Sequence, residues 1–459
     1  MAHRDRISQL PEELLLRILS SLPAKDVVIT MVLSKRWKFL WTLVPTLAYD
    51  HATYQNAEGT RFSPFVYSSL LLHEAPVLET LRLKLDRESA TAVDIGVWVK
   101  TAVKRSVREL DIDINSPSIL TPVTLPWSLF AGGCKTLATL KLSNMTLVNA
   151  SSSLPASFPS LKNLSLVKMK YPSEEFINKL LASCPVLDDL AVEQCSGDEA
   201  YGFVIDTPSL VSFDIVDHCG ELCVVESNMP EIVYVNLDIN YRRPWKMLSS
   251  LSSVKQLELC LTSSKRKKVS PEGFPLSSFC IVEKDMPNII DADVFVNHYP
   301  STEILSSITS VKRLDLCLSY SKDAYSDGSV FHRLVHLKIC TCATEWLNLL
   351  MCVLRDSPKL RAIKLRQCHD IRDDQPRPCW NEPKSVPECL ISSLETLKWV
   401  NYQGTEEEKE VAAFILRNGR CLKKVAISSE ATDSDKKLEM LKELSLFSRR
   451  SPNCHLAFD

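Results

Sequence analysis

The hydrophobic positions between residues 60 and 370 follow one recurring pattern: an aliphatic residue, two variable positions, a second aliphatic residue, one variable position and a third aliphatic residue. Each copy predicts a short strand with its aliphatic side chains on one face, since side chains alternate between faces along a strand. The copies begin at Leu78, Val107, Leu137, Leu161, Leu187, Leu210, Ile232, Val254, Leu276, Ile289, Val311, Leu334 and Leu360.

The spacing of these copies predicts the architecture. The steps from Leu137 to Leu210 are 24, 26 and 23 residues, within the roughly 20 to 29 residues at which leucine-rich repeats recur. Apolar residues at helical spacing predict helices between some of the strands, from Glu174 to Leu181 and from Trp346 to Leu354. The pattern therefore predicts an α/β solenoid over residues 60–370, whose strands line an extended concave face suited to binding another macromolecule.

Strand alternation indicates which side chains face that groove. In the Leu257–Leu261 strand the leucines point inward, which leaves Glu258 and Cys260 on the open face. By the same phase, the candidate target-binding residues are Glu258, Asp315, Lys338, Lys364 and Arg366. Cys260, Cys317 and Cys340 share this predicted face, so they are candidates for a thiol cluster; the alternative is that they are ordinary small residues of the strands.

The first 50 residues have a different, helical pattern. Leu10-Pro11-Glu12-Glu13 predicts a helix start, because proline suits the first turn and acidic side chains favour the positive end of the helix dipole. Pro23 ends this helix, a second apolar run follows Lys25 and Asp26, and Ser34 is placed to cap a third helix that carries Trp37. So many apolar residues exceed what so small a unit buries alone. We expect the excess to be buried against a partner.

In order, spacing and residue type, these segments resemble the plant F-box. The segments are Leu10–Leu19, Leu22-Pro23-Ala24-Lys25-Asp26, Val32–Trp37 and Leu40-Trp41, with Met31 where plant relatives usually carry serine. The resemblance implies docking on the Skp-type adaptor of a cullin-RING ubiquitin ligase. The residues that it assigns to adaptor binding are Leu10, Pro11, Leu14, Ile18, Leu19, Val27, Val28, Val32, Leu33 and Trp37. The alternative is that these residues form only the core of a helical hairpin.

Beyond residue 375 the repeat pattern stops at a proline-rich segment, residues 376–383, and a mixed pattern follows. It predicts strands at 394–400 and 422–427 and helices at 406–417 and 436–447. This region resembles the plant FBD domain. The matching positions are Trp380, Pro383, Val386, Pro387, Cys389, Leu390, Leu394, Gly404, Glu408, Leu416, Asn418, Leu422 and Cys454 to Phe458. The resemblance implies an F-box at 1–50, leucine-rich repeats at 60–370 and an α/β FBD domain at 375–459. It does not imply what FBD does, and we interpret this domain as a cap that covers the open end of the solenoid.

Composition and charge narrow the function. With 54 basic and 56 acidic residues, the net charge is −2, which disfavours nucleic acid or a membrane surface as a partner. Only 11 glycines occur, fewer than a nucleotide-binding enzyme normally uses. We find no catalytic motif and expect neither enzyme activity nor a cofactor. Cys340 and Cys342 lack a second ligand pair at zinc spacing.

No apolar run reaches the roughly 18 residues that span a bilayer, and no secretory signal is evident. The 16 cysteines should then be free thiols in a cytoplasmic or nuclear protein.

Taken with the resemblance, these observations favour a substrate-recognition subunit of an SCF-type (cullin-RING) ubiquitin ligase. The F-box would hold the adaptor while the repeat groove binds a target protein. Two alternatives remain: a scaffold that works without the ligase, and a receptor whose groove binds a small molecule.

Overall fold

The computed structural model describes most of the chain as two compact units, Met1–Ser227 and Asn228–Asp459. The described residues are 7–54, 62–86, 89–115, 123–126, 134–148, 157–194, 205, 207–217, 229–240, 251–262, 286–296, 302–318, 325, 329–342, 346–368, 380, 382–429 and 434–458. None of the helices within these ranges is long and apolar enough to cross a membrane.

The first unit begins with short helices and continues with alternating strands and helices. Its helices are α1 Glu12–Leu19, α2 Ala24–Ile29, α3 Trp37–Leu40, α4 Phe62–Leu72, α5 Ala92–Lys104 and α6 Glu174–Ala182. Its strands are β1 Thr46–Asp50, β2 Thr80–Asp86, β3 Glu109–Asn115, β4 Val123–Pro126, β5 Thr139–Ser143, β6 Met145–Val148, β7 Asn163–Val167, β8 Asp189–Gln194 and β9 Ser212–Asp217. The main sheet has the order β1-β2-β3-β5-β7-β8-β9 with parallel pairing, and β4 pairs with β6.

The second unit is built on one parallel sheet in chain order, β10 to β18. Its strands are β10 Tyr234–Asn240, β11 Gln256–Thr262, β12 Asp291–Val296, β13 Arg313–Leu318, β14 His336–Cys340, β15 Ala362–Arg366, β16 Thr396–Val400, β17 Lys424–Ser428 and β18 His455–Phe458. Its helices are α7 Thr302–Ser307, α8 Trp346–Arg355, α9 Glu388–Ser392, α10 Glu406–Asn418 and α11 Ser434–Leu446.

Every described copy of the repeat pattern carries a strand at its second and third aliphatic positions, whereas the copy that begins at Leu276 lies outside the described residues. Strands β1, β4 and β6 belong to no copy and were not predicted. The aliphatic side chains are buried, as Leu314 and Leu316 of β13 illustrate. The helices predicted at 174–181 and 346–354 are confirmed as α6 and α8.

The C-terminal region extends the repeat sheet. Strand β16 pairs in parallel with β15, and β17 and β18 follow in the same direction. The two strands and two helices predicted there are confirmed as β16, β17, α10 and α11, while α9 and β18 were not predicted. Most of the proline-rich segment 376–383 lies outside the described residues. Helix α10 begins with a capping box, in which Thr405 accepts from the Glu408 N–H and the Glu408 carboxylate accepts from the Thr405 N–H.

Gly404 precedes α10 in a left-handed backbone conformation, with a φ of 70°. A Cβ atom at this position would lie 3.1 Å from the Met440 Cε of α11. We expect Gly404→Ala to lower the free energy of unfolding by about 1–2 kcal/mol, because alanine resists a positive φ. Gly404→Asn is the matched control. Asparagine tolerates a positive φ better than alanine does, so this variant should lose less free energy of unfolding if the backbone conformation is the cause. Equal losses for both variants in urea denaturation would contradict a backbone cause.

Candidate functional site

The N-terminal module has a core of its own. The buried side chains that pack together in it are Leu15, Leu19, Val27, Trp37, Leu40, Trp41 and Val44. Leu10, Leu16, Leu22 and Val28 pack against this core while remaining partly exposed. The apolar residues at helical spacing in α1 and α3 therefore hold the short helices together, as hydrophobic burial requires.

Polar contacts fix the chain before α1 against α3. The Trp37 Nε1–H donates to the Ser8 Oγ at 2.7 Å, and the Arg36 guanidinium donates to the Leu10 carbonyl at 2.7 Å. The Arg36 guanidinium also donates to the Ser8 carbonyl. Leu10 and Pro11 thus start α1 from an anchored position. The prediction that Ser34 caps α3 was wrong, because the helix starts three residues later, at Trp37, and no side chain caps it. The Ser34 carbonyl instead accepts from the Trp37 N–H.

The structure divides the predicted adaptor-binding residues into three groups. Pro11, Leu14, Ile18, Val32 and Leu33 are exposed, while Leu10 and Val28 are half-buried. Leu19, Val27 and Trp37 lie in the module's core, where their side chains are not accessible to a partner. For these three residues the structure supports the alternative interpretation as core residues.

The exposed residues come from two parts of the module. Pro11, Leu14 and Ile18 are three and four residues apart, so they share one face of α1. Residues 29–33, at the end of α2 and in the 3₁₀ turn Thr30–Val32, expose Ile29, Met31, Val32 and Leu33 in succession. We call the exposed apolar residues of both parts, together with Phe39, the apolar docking surface. Its members are Pro11, Leu14, Ile18, Ile29, Met31, Val32, Leu33 and Phe39.

Sequence reasoning missed Ile29 and Phe39 as surface residues. A signal for Phe39 was present: Trp37, Leu40 and Trp41 are spaced along one side of α3, which leaves Phe39 on the other. An apolar residue off the buried stripe of a short helix is a candidate for partner contact. The exposed Phe39 side chain agrees with this explanation.

In the second unit, one row of charged side chains crosses six neighbouring strands. The register places its members side by side: Glu258, Asp293, Asp315, Lys338, Lys364 and Lys398. Three acidic residues are thus followed by three lysines, and we call this set the charged row. All six line a cavity of about 470 Å³. Four of the five predicted target-binding residues belong to it.

Arg366 is the fifth predicted residue, and it lies elsewhere. It is exposed at the end of β15, where it pairs in register with Cys340 rather than with the charged row. The lining of the cavity does not include it. Conversely, Asp293 and Lys398 were not named from the sequence, although each occupies the middle outward position of its strand.

The charges within the row interact. The Lys338 ammonium forms an ion pair with the Asp315 carboxylate. Partial desolvation, together with the neighbouring Asp315 charge, raises the pKa of Asp293 to about 6 even though its side chain reaches solvent. The acidic half of the row therefore changes its charge between about pH 5 and pH 7.

The exposure and grouping of the cysteines in this sheet differ from the prediction. Cys317 and Cys340 were predicted on the open face, but they are only 7% and 2% exposed. The prediction was wrong because these cysteines lie at the carboxyl ends of β13 and β14, where their sulfur atoms pack against the Cys342 side chain. The predicted cluster partner Cys260 does not join them; the third member of the group is Cys342.

Comparison with known proteins places these features in a family. A family model for the F-box domain matches residues 7–48, and one for FBD matches residues 382–427. Residues 95–238 match the leucine-rich repeats of the FBD-associated F-box protein At5g56370. The probable FBD-associated F-box protein At1g32375 of Arabidopsis thaliana is 53% identical over 456 residues, covering 99% of this chain and 100% of the relative. The chain belongs to the plant family of FBD-associated F-box proteins with leucine-rich repeats.

Other members of the family match along their whole length. The putative FBD-associated F-box protein At5g56390 of Arabidopsis thaliana is 46% identical, with 99% of each chain covered. The F-box/FBD/LRR-repeat protein At5g56420 of the same plant is 42% identical, with 100% of each chain covered. F-box domains generally bind Skp-type adaptors of cullin-RING ligases. In this F-box protein, the apolar docking surface belongs to the F-box, and the charged row spans the repeats and the FBD region.

Proposed function

We propose that this F-box protein is the substrate-recognition subunit of an SCF-type (cullin-RING) ubiquitin ligase. The observation that carries the proposal is the apolar docking surface, on a module that has already buried a separate core. Exposed apolar side chains concentrated on a folded helical module are typical of protein–protein interfaces. The F-box, residues 1–50, would present this surface to a Skp-type adaptor.

The repeats, at residues 60–370, supply the target site in this proposal as one solenoid, which the FBD domain at 375–459 caps. The charged row favours a target segment with complementary polarity: cationic side chains beside Glu258 and Asp293, and anionic side chains beside Lys364 and Lys398. Asp315 and Lys338 already pair with each other at the centre. Electrostatic complementarity of this kind selects orientation and partner more than it adds raw affinity.

Such a subunit contributes proximity rather than covalent chemistry. It would hold the target near the ubiquitin-carrying subunits, so that transfer becomes effectively intramolecular. No side chain of this chain needs to act as nucleophile or base in this role. A ligase of this kind would work in the cytoplasm or the nucleus.

Binding of the purified full-length chain to a purified Skp-type adaptor tests the proposal. We expect a stoichiometric complex, and we expect hydrogen exchange in residues 10–41 to slow when the adaptor is present, since binding stabilises the bound conformation. If no complex forms in the purified mixture, the ligase proposal is wrong and the chain is a scaffold that works without the ligase.

The cavity along the charged row also favours a second function, that of a small-molecule receptor. Its volume of about 470 Å³ is in the range of ligand sites, and its lining combines aliphatic carbons with convergent charges. Native mass spectrometry of the chain purified from plant tissue would test this function. A retained small molecule, lost in the charge-reversal variant Lys364→Glu, supports it; the absence of any retained mass counts against it.

The pKa of Asp293 gives the charged row a predicted pH dependence. Its carboxyl is neutral below about pH 6 and negative above it. Affinity for a lysine-rich probe peptide should therefore rise about two- to fivefold between pH 5 and pH 7, which corresponds to roughly 0.5–1 kcal/mol for one exposed charge. Fluorescence anisotropy measures this affinity. The Asp293→Asn variant should lose most of the increase; an unchanged increase would show that another group titrates.

A further inference from the structure

Four cysteines meet where three neighbouring strands of the second unit end. Cys317 lies near the end of β13, Cys340 ends β14, Cys342 follows two residues later, and Cys368 follows β15 by two residues. Because parallel strands end at the same edge of a sheet, these positions come together although the chain separates them by about one repeat. We call these four residues the thiol cluster.

The sulfur atoms are close enough to share one ligand. The Sγ atoms of Cys317, Cys340 and Cys342 all lie within 4.8 Å of one another. The Cys317–Cys342 separation is 3.7 Å and the Cys340–Cys342 separation is 3.1 Å. The fourth residue adjoins Cys340: the Cys368 N–H donates to the Cys340 Sγ at 3.2 Å, and the Cys368 thiol is hydrogen-bonded to Cys340. The Cys368 Sγ also lies 3.8 Å from the Arg366 carbonyl oxygen and is not within 4.8 Å of all three other sulfur atoms, so it must turn toward them to bind the same ion.

The four thiols differ in their pKa shifts. Hydrogen bonding with Cys317 and Cys342, and from the Cys368 amide, lowers the pKa of Cys340, whereas the pKa values of Cys317, Cys342 and Cys368 are raised. The Lys338 and Arg366 charges oppose the rise in the pKa of Cys368. Binding of a metal ion would therefore have to release protons from the cluster.

One side of the thiol cluster is buried, and the other side is open to solvent. Cys317 and Cys340 are buried, Cys342 is half-buried, and Cys368 is exposed. The loop that carries Cys342 is held in place, since the Thr341 N–H donates to the Arg366 carbonyl at 3.1 Å. An ion can thus enter past Cys368 and reach sulfur atoms on a fixed backbone.

We propose that Cys317, Cys340, Cys342 and Cys368 form a structural zinc site that joins the carboxyl ends of β13, β14 and β15. Four thiolates match the tetrahedral all-sulfur set that structural zinc prefers. With a Zn–S bond of about 2.3 Å, sulfur atoms at tetrahedral corners lie about 3.8 Å apart. The Cys317–Cys342 separation already has this value within 0.1 Å, at 3.7 Å, and the Cys340–Cys342 separation must widen toward it.

The proposed zinc site lies two residues further along β13 and β14 than the charged row does. Cys317 follows Asp315 by two residues, and Cys340 follows Lys338 by two residues. Bound zinc would therefore fix the strands that present the central ion pair of the row. The ligands were hidden from spacing rules because each neighbouring strand contributes from a different repeat: Cys317 and Cys342 are 25 residues apart. The expectation that Cys340 and Cys342 lack a second ligand pair at zinc spacing considered local spacing alone, whereas the structure brings Cys317 and Cys368 beside them from neighbouring repeats.

Metal titration of the reduced full-length chain tests this proposal. After treatment with a chelator, the chain is titrated with Zn²⁺ in competition with a chromophoric chelator, and in parallel with Co²⁺. We expect one high-affinity site per chain, a rise in thermal stability on zinc binding, and the thiolate-to-cobalt charge-transfer absorption of a tetrahedral sulfur site. If neither ion binds at one per chain, the proposal is wrong.

Serine variants assign the ligands. Cys342→Ser and Cys368→Ser are preferred because these side chains are not buried, so the fold should survive. We expect zinc affinity to fall about 100-fold in each, since each thiolate contributes a share of the binding free energy. Cys260→Ser and Cys421→Ser, which change thiols outside the cluster, are the matched controls and should bind zinc as the wild type does. Unchanged affinity in Cys342→Ser, unchanged affinity in Cys368→Ser, or a loss in the controls would each overturn the four-cysteine assignment.

Discussion

Replacing Val32 and Leu33 together by aspartate should abolish most adaptor binding while leaving the fold intact. The two side chains are 78% and 63% exposed in the free chain, so charges there cost little before binding. In the complex, two carboxylates would be desolvated against an apolar partner. We expect at least about a 100-fold loss of affinity, corresponding to roughly 3 kcal/mol. Calorimetric titration of the purified chain with the Skp-type adaptor measures this loss.

A second pair of leucines provides the control. Leu71 and Leu72 at the end of α4 are also adjacent in the chain, and they are 83% and 55% exposed. Changing both to aspartate adds the same charge outside the apolar docking surface, so adaptor affinity should not change. If both double variants lose affinity equally, general charge repulsion explains the loss and the assigned surface is wrong. In cells, Val32→Asp with Leu33→Asp should still bind the target and allow it to accumulate.

Trp399→Ala should cause the largest single loss of stability in the C-terminal region. The Trp399 side chain is 0% exposed. Its ring lies edge-on to Trp346, with centroids 5.8 Å apart, and to Tyr402, with centroids 5.1 Å apart. Removing it deletes a large buried volume and two aromatic contacts, which together cost about 3–5 kcal/mol.

Hydrogen exchange of β15, β16 and β17 is the suitable measurement, because it reports the stability of this region separately from the rest of the chain. Lys398→Ala is the control, since Lys398 is the preceding residue on the same strand and is exposed. It should change the free energy of unfolding by no more than about 0.5 kcal/mol. Similar losses for both variants would mean that the two faces of β16 are assigned wrongly.

The strands of the described repeats, and much of their pairing, could be predicted from the sequence, whereas β1, β4, β6 and β18 could not. An aliphatic pattern of period two defines a buried strand face, and repeats of about 24 residues leave room for one return segment, which makes neighbouring strands parallel. The charged residues that face away, such as Glu258 and Lys338, follow from the same alternation. These features depend on local spacing, which a single sequence records.

The division between core and surface in the F-box required the tertiary structure. Leu19, Val27 and Trp37 match the family pattern as well as Leu14, Val32 and Leu33 do, yet the first three are buried and the others are exposed. A short helix can carry apolar residues on two faces, and only its packing against neighbouring helices decides which face is covered.

The thiol cluster also depended on tertiary structure. Cys317, Cys342 and Cys368 come from three successive repeats, and no rule of local spacing connects them. Parallel pairing aligns the ends of β13, β14 and β15, which places Cys342 beside Cys317 and Cys368 beside Cys340. Repeat length and strand phase were determined by the sequence itself; contacts between repeats, and the chemistry that these contacts create, were determined by the register of the folded sheet.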